Sequence, residues 1–172
     1  AIICLSANGL TTSTSADAAR RMLVATTEGV LDFRRDGPGA PWQRHSAMLL
    51  EGHHIGALLF DEPTGLLFAL PHFTGGLLVS ADEGASWETR NTGLQSNYAY
   101  SLMVQHIDGR TVLSLGTEPV MFYQSFDLGQ SWHARPACTQ VEGTEHWLFP
   151  RSHPHIKHIA AHPARPERIY IC

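Results

Sequence analysis

Short, largely apolar runs alternate with polar turns along this chain, and their order repeats. The runs His54–Phe60, Leu66–Leu70 and Leu77–Ser80 are separated by turn segments that contain Asp, Gly or Pro, and a fourth segment starts at Trp87. Runs of this length, bounded by turn residues, predict β-strands joined by tight turns.

The same order of runs recurs further along the chain. The runs Tyr98–His106, Val112–Leu115 and Val120–Ser125 are followed by a segment from Trp132, and residues 156–162 begin another copy. Four antiparallel strands per repeat is the arrangement of a propeller blade. The pattern therefore predicts an all-β fold, a β-propeller of four-stranded antiparallel blades, with about three and a half blades present.

The predicted blade boundaries match this repeat within a single partial domain of residues 1–172. The segments are blade 1 at about 1–50, blade 2 at about 51–95, blade 3 at about 96–140, a long loop at 141–155 and the start of blade 4 at 156–172. Residues 1–20 fit no strand of the repeat. Because an open arc of blades leaves an unpaired sheet edge at each end, we expect the remaining blades beyond Cys172.

A recurring motif sets the period. The segments Ser80–Trp87 and Ser125–Trp132 both read S-x-D-x-G-x-S-W, their tryptophans are 45 positions apart, and a degenerate copy ends at Trp42, 45 positions earlier. An Asp in a tight turn accepts backbone hydrogen bonds, Gly supplies a positive φ, and Trp buries apolar surface against the neighbouring sheet. We therefore predict a structural role for the motif residues: Ser80, Asp82, Gly84, Trp87, Ser125, Asp127, Gly129 and Trp132.

This motif resembles the Asp box of BNR-repeat β-propellers, a group that includes sialidases, xyloglucanase-type glycoside hydrolases and sortilin-type receptors. Two further segments, Gly116–Pro119 and Trp147–His155, are similar to segments of uncharacterised bacterial BNR-repeat proteins labelled glycosyl-hydrolase-like or sialidase-like. The resemblance covers residues from about 21 to the end. It implies a propeller whose ligands bind at the face opposite the Asp boxes, and it says little about activity.

Antiparallel strands place the loops of each blade alternately at its two ends. The loops after the second and fourth strands share the end opposite Asp82 and Asp127, and residues 141–155 exceed the usual loop length of about two to six residues. Long loops with their own aromatic and charged side chains tend to be functional. We expect this end to bind a carbohydrate or another small polar ligand through His72, Tyr98, Trp147, Arg151, His153 and His155, with Phe73 contributing to the pocket.

Two glutamates on this face suggest an alternative function. Glu28 and Glu118 each follow a threonine at the end of a second strand, two repeats apart. Glycoside hydrolysis uses two carboxyl groups within about 5–9.5 Å of each other. The alternative is therefore a sialidase-like or xyloglucanase-like glycoside hydrolase whose catalytic residues are Glu28 and Glu118, or one of them together with a carboxylate on the missing blades. A sialidase also needs several arginines around its substrate carboxylate, and Arg151 alone lies on this face.

The most specific prediction concerns the position of the long loop. We predict that residues 141–155 lie across the mouth of the propeller, with Trp147 or His155 reaching toward Glu118. The alternative is a surface flap over the outer edge of blade 3. Side chains of Trp147, His153 and His155 that all lie more than about 12 Å from Glu118 would exclude a shared site.

Composition adds few constraints. The net charge of −4 gives no reason to expect nucleic acid or an anionic membrane as partner, and no apolar run approaches the roughly 20 residues that span a bilayer. The three cysteines form neither a disulfide framework nor a zinc pattern, which leaves the compartment open. His153 and His155 have a spacing that lets two imidazoles share a metal, but no Cys or Asp completes a known signature, so we predict no metal and no cofactor.

Overall fold

The computed structural model describes residues 1–9, 15–143, 146 and 153–172. In these residues the chain is all-β, with three four-stranded sheets and one two-stranded sheet. The first sheet contains β1 (Ile2–Leu5), β2 (Arg21–Ala25), β3 (Val30–Arg34) and β4 (Gln43–Arg44). The second contains β5 (Ile55–Asp61), β6 (Leu66–Pro71), β7 (Leu78–Ser80) and β8 (Glu88–Thr89).

The remaining strands form two further sheets. The third sheet contains β9 (Ala99–Ile107), β10 (Arg110–Thr117), β11 (Met121–Ser125) and β12 (His133–Arg135). A 3-10 helix follows at Pro136–Thr139, and the two-stranded sheet consists of β13 (Ile159–His162) and β14 (Arg165–Ile171). Within the part of the chain that the structure describes, no helix has the length and apolar character needed to cross a membrane.

The second and third sheets are antiparallel meanders. Each strand pairs with its neighbour in sequence, in the orders β5-β6-β7-β8 and β9-β10-β11-β12. Short turns make this possible, because antiparallel neighbours need only a few residues to connect them. The predicted strands of these two repeats are confirmed, with ends that differ by a few residues.

The first sheet departs from the predicted antiparallel pattern. Ile2 pairs with Arg21 and Leu5 with Val24, so β1 runs parallel to β2. A parallel pair needs a long connection, which residues 6–20 supply. Residues 6–9 then run against the third and second sheets: Leu102 N donates to Asn8 O at 3.3 Å, and Asn8 N donates to Gly56 O at 3.0 Å. The prediction of four antiparallel strands in blade 1 is therefore wrong, and the unassigned residues 1–20 include a strand.

The sheets pack face to face through separate apolar clusters. Along β6, Phe68 and Leu70 belong to a cluster with residues of the third sheet, whereas Leu67 and Ala69 face the first sheet. Successive side chains of a strand point to opposite faces, so a strand covered on both faces is apolar throughout. This explains why the run Leu66–Leu70 has no polar alternation.

The two copies of the motif have matching hydrogen bonds. In the first copy, Ser86 N donates to Asp82 Oδ1 at 2.8 Å and Gly84 N donates to Ser80 Oγ at 2.8 Å. In the second copy, the corresponding bonds from Ser131 and Gly129 measure 2.9 and 2.8 Å. The aspartate thus accepts from the backbone of a residue four positions ahead, and these bonds close the turn.

The motif glycines also pack closely on the preceding sheet. A Cβ on Gly84 would lie 2.9 Å from Leu49 Cδ1, and a Cβ on Gly129 would lie 2.7 Å from Leu77 Cδ2. Both glycines have positive φ, 97° and 86°. The motif therefore needs glycine for backbone conformation and for sheet-to-sheet contact at once.

Arginine and tryptophan side chains tie the motif backbone to the preceding sheet. Arg21 Nη2 donates to Glu83 O at 2.9 Å, and Arg90 Nη1 donates to Leu128 O at 2.6 Å. The indole of buried Trp132 donates to Arg90 O at 2.9 Å. These bonds satisfy turn carbonyls at a joint between sheets, where an unpaired polar group would be costly.

Candidate functional site

The residues predicted for the ligand face lie at one end of the sheets. His72 and Phe73 follow β6, Tyr98 precedes β9, and Glu118 follows β10. His153 and His155 precede β13. Because the strands of the meanders alternate in direction, these loops share the end opposite the two motif turns.

A column of four rings crosses this end of the molecule. The centroids of His54 and His72 are 4.8 Å apart, and His72 meets Tyr100 edge-on at 4.5 Å. Tyr100 stacks on His155 at 4.3 Å with an interplanar angle of 24°. The column thereby joins the second sheet, the third sheet and the segment that leads into β13.

Glu118 lies at the end of this column between two imidazoles. Its Oε1 is 4.0 Å from His153 Nδ1 and its Oε2 is 3.9 Å from His155 Nδ1. These separations are far inside the 12 Å limit, so the predicted approach of His155 to Glu118 is confirmed, and His153 lies beside it. They exceed hydrogen-bonding distance, so these nitrogen and oxygen atoms are close neighbours without a direct hydrogen bond between them. Most of residues 141–155, and with them the predicted course of the loop across the mouth, lie outside the described residues.

The backbone around Glu118 is held in place on both sides. Its N–H donates to Tyr98 O at 2.9 Å, and Ser96 Oγ donates to its carbonyl at 2.8 Å. The peptide bond between Glu118 and Pro119 is cis. The side chain is only 13% exposed, and no described residue donates a hydrogen bond to its Oε2.

Two exposed aromatic rings border the column. Phe73 is 39% exposed, Tyr98 is 45% exposed, and their centroids are 5.9 Å apart at 66°. The ring of Phe73 also contacts that of His72 at 3.7 Å. The site thus combines an apolar surface open to solvent with a largely buried carboxylate. Trp147 and Arg151, which we predicted to bind ligand here, lie outside the described residues.

Glu28 has a different setting. It is exposed in the turn after β2, where its N–H donates to Thr26 Oγ1 at 3.1 Å and its carbonyl accepts from Gly52 N at 2.8 Å. These contacts are with residues of the first sheet and the loop that follows it, and none of them involves Glu118. The suggested pair of catalytic glutamates therefore has no support in the contacts of Glu28.

Sequence reasoning missed Tyr100, the centre of the column. The register of the third sheet pairs Gly116 with Ser101 but Thr117 with Ala99, so Tyr100 is an extra residue on its strand. The second sheet has the equivalent irregularity at Gly56, between Ile55 and Ala57. Such bulges redirect side chains and frequently occur beside active sites. A strict two-residue period does not reveal them, although the close spacing of Tyr98 and Tyr100 is a signal in the sequence.

Metal binding at this end receives no geometric support. Among the described residues, no group of three or more His, Cys, Asp and Glu side chains is arranged to hold a metal ion. His153 and His155 both face Glu118 instead.

No protein-family profile matches this chain, and no curated protein shows significant similarity to it.

Proposed function

We propose that the chain is part of an Asp-box propeller that binds a carbohydrate or another small polar ligand at the end of the sheets that carries Glu118. One observation carries this proposal: Glu118, two imidazoles and a group of aromatic rings converge there from three separate sheets. Binding sites commonly combine apolar and aromatic walls with a few convergent polar groups.

The chemistry of the side chains suits a sugar. The exposed rings of Phe73 and Tyr98 provide an apolar surface on which the C–H face of a sugar ring packs. The carboxylate of Glu118 accepts hydrogen bonds from hydroxyl groups, and the imidazole of His153, 60% exposed, donates or accepts them. Stacking on the aromatic rings would contribute to the affinity for the sugar, and the hydrogen bonds with Glu118 and His153 would set its orientation.

The proposal that the chain is part of a propeller rests on the order and the packing of its sheets. Three four-stranded sheets pack in sequence, and the fourth repeat contributes two strands. The motif turns at Asp82 and Asp127 repeat the same bonds at the same joint between sheets. Successive sheets that pack face to face in this manner are the building plan of a propeller.

Glycoside hydrolysis remains the second candidate function. Its support is the largely buried setting of Glu118, since a carboxyl group removed from water and flanked by polar side chains is suited to act as general acid or base. The reaction also needs a second carboxyl group, and Glu28 does not provide it through any contact described above.

Binding of neutral oligosaccharides to the full chain, measured by saturation-transfer NMR and calorimetry, tests the proposal. We expect Tyr98→Ala to weaken binding about fivefold, because an aromatic contact contributes on the order of 1 kcal/mol. Phe126→Ala is the matched control, since Phe126 is a similarly exposed ring at the opposite end. Equal affinities for the two variants, or no binding by any member of the panel, would contradict the proposal. Release of an aryl leaving group that Glu118→Gln abolishes would favour the hydrolase instead.

A further inference from the structure

A basic cleft lies at the other end of the molecule, where the first sheet meets the motif turn of the second. It has a volume of about 430 Å³ and is lined by Arg20, Arg21, Arg34, Arg35 and His45. A smaller neighbouring cleft of about 190 Å³ shares Arg34, Arg35 and His45 and adds Arg44. Five of the twelve Lys and Arg residues thus surround one surface of a chain whose net charge is −4.

One of these arginines serves the fold rather than a ligand. Arg21 is buried, and its guanidinium makes a two-pronged contact with Asp32 at 3.1 and 2.9 Å. It also donates to the Glu83 carboxylate at 2.9 Å. The charges of Asp32 and Glu83 are therefore engaged by Arg21, which forms the floor of the cleft.

Arg34 is left with a weaker partner. It stands directly opposite Arg21 in the register of β2 and β3, and its nearest carboxylate is Asp32 at 3.5 Å. Like charges opposite each other on paired strands are destabilising. The Arg34 side chain is 46% exposed, so an anion in the cleft would approach the outer side of its guanidinium while the contact with Asp32 remains.

Arg35 is held in position for binding. Its Nε donates to Ala19 O at 2.7 Å, and its guanidinium carbon lies 4.5 Å above the ring centre of Trp42. A guanidinium has five N–H donors, so this anchoring uses a small part of its capacity. Ordering the side chain in advance lowers the entropic cost of binding.

The arrangement selects a type of anion. Guanidinium groups that reach one cleft from two strands and a loop need an anion with acceptor oxygens on several sides. A tetrahedral oxyanion meets this need better than a planar carboxylate, because its oxygens point in more directions toward the surrounding donors. Two carboxylates line the cleft, those of Glu83 and Asp36. Arg21 binds the Glu83 carboxylate and does not bind that of Asp36.

We propose that this cleft, the arginine cleft, binds the phosphate or sulfate group of a ligand through Arg34 and Arg35. The site is separate from the Glu118 end, and the proposal does not rest on the function assigned there. Electrostatic attraction by the arginines concentrates anions at this surface, although the protein as a whole repels them.

Calorimetric titration of the full chain with inorganic phosphate and with sulfate, at constant ionic strength set by chloride, tests the proposal. We expect saturable binding of at least one of the two anions, and the stronger of them identifies the ester type. Arg34→Gln should weaken it about tenfold, because each charge-assisted hydrogen bond contributes substantially to affinity. Arg110→Gln, at an exposed arginine of β10 outside the cleft, should leave the affinity unchanged.

A second variant separates geometry from charge. Arg35→Lys keeps the charge but removes the planar fork, and we expect it to weaken binding severalfold. Thermal unfolding of each variant checks that the sheets remain folded. Wild-type affinity in both Arg34→Gln and Arg35→Lys, or a response to phosphate and sulfate no greater than that to chloride, would overturn the proposal. Oligosaccharide binding at Tyr98 should be the same in all these variants.

Discussion

The Nε2 atom of His106 lies 2.7 Å from Oδ1 of Asp61 and joins the third sheet to the second. Asp61 is 4% exposed, and Thr64 Oγ1 donates to its other carboxylate oxygen at 2.6 Å. Gly65 N also donates to the Asp61 carbonyl at 2.8 Å, which closes the turn after β5. Asp61 is thus a turn former, as its place in the repeat predicts, and an inter-sheet partner as well.

Loss of the His106 imidazole should therefore destabilise the protein. We expect His106→Ala to lower the free energy of unfolding by about 1–3 kcal/mol, because it leaves a buried carboxylate oxygen without its partner. Urea unfolding measures the effect. His133→Ala, at an exposed histidine of β12, is the control and should change stability by less than about 0.5 kcal/mol. Similar losses in both variants would show that the contact with Asp61 contributes nothing.

A comparison of two glycines distinguishes the cost of backbone strain from the cost of steric overlap in the motif turn. Gly129 lies in the motif, and Gly109 lies in the turn between β9 and β10. Gly129 and Gly109 both have positive φ, but a Cβ on Gly109 meets no atom within 4 Å. Gly109→Ala should cost about 1–2 kcal/mol from the backbone conformation alone. Gly129→Ala should cost about 1–3 kcal/mol more, because its Cβ would collide with buried Leu77. Denaturant unfolding of the two variants measures the losses in the free energy of unfolding. Equal losses would show that the two sheets shift apart at the motif and accommodate the added Cβ without a penalty.

The charge of the motif aspartate should stabilise the fold in a defined range of pH. Hydrogen bonds from the side chain and backbone of Ser86, together with one from Ser80, lower the pKa of Asp82 from 3.8 to about 2. At Asp127, desolvation raises the pKa, but hydrogen bonds from Ser131 and Ser125 outweigh it, so its pKa is lowered too. A folded-state pKa below the unfolded value means that the contribution is complete above about pH 5 and is lost as the pH falls toward 2.

Unfolding midpoints in urea between pH 2 and 7 check this expectation. The stability difference between wild type and Asp82→Asn should be constant above about pH 5 and should shrink between pH 4 and 2. Asp17→Asn, at an exposed aspartate outside the motif, is the control for general charge effects. A difference that persists unchanged at pH 2 would mean that the ionised form of Asp82 has no special role.

Features that depend on neighbours in sequence were predictable. The strands of the second and third sheets follow from runs of apolar residues bounded by turns. The motif turns follow from bonds that span four residues, such as Ser86 to Asp82. The common end of the loops that carry His72 and Glu118 follows from the alternation of antiparallel strands.

Features that depend on distant segments were not predictable in detail. The parallel pairing of β1 with β2 and the course of residues 6–9 depend on contacts between segments far apart in the chain. The bulge that places Tyr100 against His155 breaks the two-residue period on which strand prediction rests. The contacts of Arg21 with Asp32 and Glu83 require two sheets to meet.

By itself, the sequence determined the repeat, the turns and the end of the sheets at which His155 and Glu118 would be found, because local hydrogen bonding and strand periodicity depend on consecutive residues. The tertiary structure alone decided which side chains touch, such as His106 and Asp61 across two sheets. The physical reason is that packing is cooperative, so the distance between two side chains depends on every strand between them. A single extra residue on a strand, such as Tyr100, also redirects its neighbours along that strand.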